Sequence, residues 1–70
     1  MTWSAAYELA LTKRYIAEKE RFQIAQLARI ADQMRHGQDT AAAEQALRDI
    51  EVHLTLLRAQ RTALGALQGY

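Results

Sequence analysis

The chain has 70 residues, a net charge of +1, no cysteine and no proline. That length holds one domain at most, and a near-neutral balance gives no overall pull toward nucleic acid or anionic membrane. Without cysteine there is no disulfide, no thiolate metal site and no thiol nucleophile.

Alanine, leucine, glutamine, arginine and glutamate dominate the sequence. All are good helix formers, and the few valines and isoleucines argue against a sheet. An all-α fold is expected. No run approaches the roughly 20 apolar residues of a membrane span. The start, Met1-Thr2-Trp3-Ser4, lacks the basic stretch and apolar core of a signal peptide. A cytoplasmic protein is the expectation.

In chain order, the pattern predicts a first helix over about 3–36, a turn at 37–39 and a second helix over about 40–67, one domain spanning 1–70. Glu8 lies early in the first helix, and Arg35 and His36 lie at its end, as the helix dipole favours. Gly37 can adopt the left-handed conformation that ends a helix. Asp39 or Thr40 can cap the next one by accepting its free N–H groups. Glu44, Asp49 and Glu51 open the second helix, and Arg58 and Arg61 come later. Gly65 and Gly69 point to a frayed end. So short a turn returns the chain beside itself, which makes an antiparallel two-helix hairpin.

Each helix carries an apolar seam. On the first it reads Ala5, Leu9, Ile16, Glu20, Gln23, Leu27, Ile30 and Met34. On the second it reads Ala43, Leu47, Ile50, Leu54, Leu57, Arg61 and Leu64. Spacings of three and four are those of a left-handed helix pair. Folding about Gly37 opposes positions whose numbers sum to roughly 77. Ile30 then faces Leu47 and Leu27 faces Ile50. This predicts a seam that is apolar near the turn and mixed toward the open end, where Glu20 and Arg61 form a polar pair.

Second stripes lie off the seam: Leu11, Tyr15 and Phe22 on the first helix, and Val52, Leu56, Ala63 and Leu67 on the second. A hairpin has one internal face, so a monomer exposes both stripes. One alanine-rich seam is also a thin core for so short a chain. A homodimer closing a four-helix bundle buries the stripes and is the expected assembly. The competing occupant is another helical protein.

The residues supply little chemistry. The one serine, Ser4, has no histidine near it in sequence, and no glycine-rich loop offers a phosphate cradle. His36 and His53 are not preceded at three residues by a carboxylate, so the Glu-x-x-His spacing of di-metal bundles is missing. We expect no enzyme activity, cofactor, metal or small-molecule substrate. Glu20 with Arg61 reads as an ion pair that fixes register. Trp3, Tyr7 and the terminal Tyr70 lie away from the seam, as end contacts or a docking patch. The alternative function is RNA or DNA binding. Arg14, Arg21 and Arg29 fall toward the outer face of the first helix, although Glu18 and Asp32 interrupt them.

The segment Arg14-Tyr15-Ile16-Ala17-Glu18, the turn Gly37-Gln38-Asp39-Thr40-Ala41-Ala42-Ala43, and a leucine-spaced helix ending at Arg61 and Leu64 resemble a family of small helical-hairpin proteins from proteobacteria that has no assigned activity. The resemblance runs from Arg14 to Arg61, leaving Trp3 to Lys13 outside it. It implies a bacterial source and a hairpin fold, and no particular reaction. In architecture alone the hairpin is similar to the homodimeric RNA-binding bundle of plasmid copy control, a likeness that carries no function.

Overall fold

A computed structural model describes residues 3–68, so Gly69 and Tyr70 lie outside the described residues. Two helices, α1 (Ala5–Arg35) and α2 (Ala41–Gln68), pack against each other along their length. No strand occurs among the described residues. The hairpin is long and flat, with extents of 53 × 20 × 14 Å.

Side-chain and backbone caps set the helix ends. Ser4 sits in extended backbone before α1, and its hydroxyl oxygen accepts the Tyr7 N–H at 3.2 Å. This satisfies one of the donors that a helix start leaves free. At the other end Gly37 adopts φ 64°, the left-handed turn its missing Cβ permits. The Gln38 N–H then reaches back to the Gln33 carbonyl at 2.8 Å, and the Gly37 N–H to the Met34 carbonyl at 3.2 Å. These two bonds form a Schellman motif. Of the two expected capping residues of α2, Asp39 caps with its side chain and Thr40 only with its backbone. The Thr40 carbonyl accepts the first helical bond, from the Glu44 N–H, and the Asp39 carboxylate accepts the Ala41 N–H at 3.0 Å.

Burial shows which residues form the seam. On α1 the buried and half-buried positions include Ala5, Leu9, Thr12, Ile16, Lys19, Gln23, Gln26, Ile30 and Gln33. The spacing alternates four and three without a break, a continuous heptad. On α2 the series is Thr40, Ala43, Leu47, Ile50, Leu54, Leu57 and Leu64. Leu9, Ile16, Ala43, Leu54 and Leu64 are the buried apolar residues. Thr12 is buried with them because its hydroxyl donates to the Glu8 carbonyl, 2.9 Å away in its own helix. A polar side chain can enter a seam when its one hydrogen bond is made locally.

Three expectations need correction. Leu27 and Met34 are 51% and 68% exposed and lie outside the seam. Gln26 and Gln33, each one residue earlier, take the seam positions instead. One residue is a turn of about 100° around a helix, so the two choices exclude each other. The heptad set by Leu9, Thr12 and Ile16 runs straight on to the glutamines, and admitting the leucine and methionine would require a break in it. Second, Glu20 pairs with Arg58 at 3.5 Å, not with Arg61, and both side chains are about half exposed. Arg61 itself is exposed. Third, the apolar and mixed ends are reversed. Leu9, Ile16 and Leu64 are buried toward the open end, whereas beside the turn only Ala43 is buried.

Candidate interaction surface

Lettering the heptad a to g, with Leu9 and Ile16 at a on α1 and Leu47 and Leu54 at a on α2, assigns every remaining residue to a flank. In an antiparallel pair the e positions of both helices share one flank and the g positions share the other. The ion pair between Glu20 and Arg58 joins two e positions. The opposite flank, formed by g and c positions, carries most of the second stripes.

On that flank Tyr15, Glu18 and Lys19 of α1 and His53, Leu56 and Leu57 of α2 line one open groove crossing the two helices. Phe22 continues the α1 edge, with the Lys19 ammonium 5.9 Å from its ring centre. A cation this near a ring is weakly attracted to its face. Leu11 and Leu67 extend the same flank to the open end. Phe22 is 48% exposed and Leu56 63%, and Tyr15 and Leu67 are likewise exposed. Val52 is exposed too, but at an f position it lies one step outward, at the border of this face.

The face is continuous across both helices. That makes it different from scattered surface apolar residues. A second exposed line runs along α1 on the opposite flank, through Ile24, Leu27 and Met34. Ile24 belongs to neither the seam nor the second stripes expected from the sequence. The 24, 27, 31, 34 spacing marks it, a line the sequence pattern conceals when Leu27 and Met34 count as seam residues. On this flank α2 presents Glu44, Arg48, Glu51 and Arg58, so the line is one helix wide.

The arginines expected to mark a nucleic-acid face do not gather into one patch. Arg14 and Arg21 lie along the outer line of α1, with Glu18 between them against a shallow depression. Arg29, at a g position, is about a quarter turn round toward the seam. The carboxylate beside Arg14 and Arg21 weakens the attraction for a phosphate backbone. Near the turn, Asp32 pairs with Arg35 at 3.3 Å and lies 3.6 Å from His36 Nδ1. Among the described residues no three histidine, aspartate or glutamate side chains converge to hold a metal. No described helix is long and apolar enough to cross a membrane. Trp3 and Tyr7 are both exposed at the open end.

Among known proteins the chain matches no described family, and no curated protein or solved structure is significantly similar to it.

Proposed function

We propose that this protein is a self-associating interaction module: two hairpins join through the broad face carrying Tyr15, Phe22, Leu56 and Leu67 and close a four-helix bundle. The bundle acts in the cytoplasm as a scaffold or adaptor for another protein, without catalysis of its own. The observation that carries the reading is the apolar face itself, which spans both helices and is open in a single hairpin.

Size agrees with it. A face bounded by the 53 and 20 Å extents covers on the order of 1,000 Å² per copy. Stable specific complexes bury about 800 Å² per partner. The hairpin's own core also leaves scope for more burial, since only five apolar side chains are buried among the described residues. A second copy offers the same shape and the same apolar stripe, as a twofold interface requires.

Sedimentation at tens of micromolar tests the proposal. The expected mass is twice the 7.9 kDa of one chain. Phe22→Glu or Leu56→Glu is expected to reduce it to the single-chain mass while circular dichroism still reports helix. A folded wild-type monomer at that concentration, or variants that remain dimeric, would overturn it.

A further inference from the structure

The self-association proposed above leaves open how one hairpin lies on the other. Two flat hairpins stacked face to face can be related by a twofold axis in two ways. With the axis along the hairpin, the two turns lie at the same end and α1 packs on the partner's α2. With the axis across the hairpin, the turns lie at opposite ends and each helix packs on its own copy.

The sequence of the open face distinguishes them. Within one hairpin, the Glu20 to Arg58 ion pair sets which residues share a level. A rotation about the long axis preserves level, so each α1 residue meets the α2 residue of the partner at its own height. Leu11 then meets the partner's Leu67, and Phe22 meets the partner's Leu56. Tyr15 lies over the partner's Ala63, a large side chain on a small one, as close packing favours. Between them Glu18 meets the partner's Gln60, whose amide can donate to the carboxylate. Nearer the turn, Arg29 meets the partner's Asp49. At these five levels the large apolar groups meet apolar groups, and Glu18 and Arg29 meet polar partners.

The crosswise axis gives the opposite result. At full overlap Leu11 falls on the partner's Arg29 and Leu67 on the partner's Asp49. Phe22 falls beside the partner's Glu18 and Leu56 beside the partner's Gln60. Leu11, Phe22, Leu56 and Leu67 then each desolvate a polar group without pairing it, while Tyr15 falls on the partner's Ala25. Sliding the copies outward by about 10 Å puts Leu11 on the partner's Phe22 and Leu67 on the partner's Leu56, but it sets Tyr15 on the partner's Glu18, removes the Arg29 to Asp49 match and loses overlap at both ends.

We propose that the protein dimerises with its two turns side by side, around a twofold axis running along the hairpin, so that α1 of each copy packs on α2 of the other. The chain has no cysteine, so one introduced thiol can be labelled cleanly. Gln38 is exposed in the turn and uses its backbone, not its side chain, to close it. A nitroxide on Gln38→Cys reports the distance between the two turns, while sedimentation of the same sample reports mass. The expected result is a dimer with a narrow separation of about 20–30 Å, given helices packed about 10 Å apart plus the label arms. A dimer with a separation near the 53 Å length of the hairpin overturns the arrangement and leaves the self-association standing. A monomer overturns both. A second measurement mixes Arg29→Glu protein with Asp49→Arg protein. Native mass spectrometry is expected to show heterodimer in excess of the statistical half, and a statistical mixture would overturn the placement of Arg29 on the partner's Asp49.

Discussion

Ile16 and Ile30 are the same residue at the same heptad position, two heptads apart, yet Ile16 is 3% exposed and Ile30 only half-buried. Around Ile16 the seam holds Leu9, Thr12 and Leu64, all buried. Around Ile30 it holds Gln26 and Gln33, and the side-chain oxygens of both are buried without a hydrogen-bond partner. The comparison shows that heptad spacing aligns a helix pair, while the side chains on that spacing decide how tightly it closes. The open-end half is a conventional apolar core. The turn half holds together through its turn and through continuity with the rest.

The largest expected effect is a direct test of that contrast. Ile16→Ala should cost about 2–4 kcal/mol in urea unfolding, the usual range for truncating an enclosed aliphatic residue. Ile30→Ala should cost about half as much, and equal losses would erase the distinction between the halves. Next, Gln33→Leu should stabilise the protein by about 1 kcal/mol, because it removes a buried oxygen that lacks a partner. A fall in the urea midpoint would show that the glutamine is paired. Gly37→Ala should lose about 1 kcal/mol. The added methyl meets open space, so the loss is the strain of φ 64° alone. The smallest effect should come from Glu20→Ala, at most about 0.5 kcal/mol, because its pair with Arg58 is half exposed. If the chain dimerises, all these values need a fixed protein concentration, since assembly adds to apparent stability.

Much of the fold was legible in the sequence. Gly37 and Asp39 carry the turn chemistry that the structure uses, because capping depends on a few adjacent residues. Six of the seven residues expected in the α2 seam are buried or half-buried there. On α1 the expected seam holds Glu20 and Gln23 beside its apolar residues but lacks Thr12, Lys19, Gln26 and Gln33. Polar residues were in the seam, and only an unbroken count of fours and threes from Leu9 would have found them. The ion pair was misplaced by three residues, from Arg61 to Arg58, for a related reason. Opposition by number gives the level of a residue along the hairpin, but its flank depends on the heptad letter. The interaction face was legible as two separate stripes. That Leu11, Tyr15, Phe22, Leu56 and Leu67 share one side follows only once the seam is fixed.

The uneven seam also bears on how fast the chain can fold. In a hairpin, residues beside the turn are close in sequence and meet first, at little entropic cost. Here those early contacts are the weak ones, made by Ala43, two glutamines and the half-buried Ile30, Leu47 and Ile50. The enclosed contacts join residues near Leu9 to residues near Leu64, on the order of 50 positions apart, and closing a loop of that length precedes most of the gain in burial. A simple zipper from the turn is therefore poorly rewarded until it is nearly complete. Folding should be slower than the local character of a helical protein suggests, and substitutions at Ile16 should change the unfolding rate more than those near the turn change it for the same loss of stability.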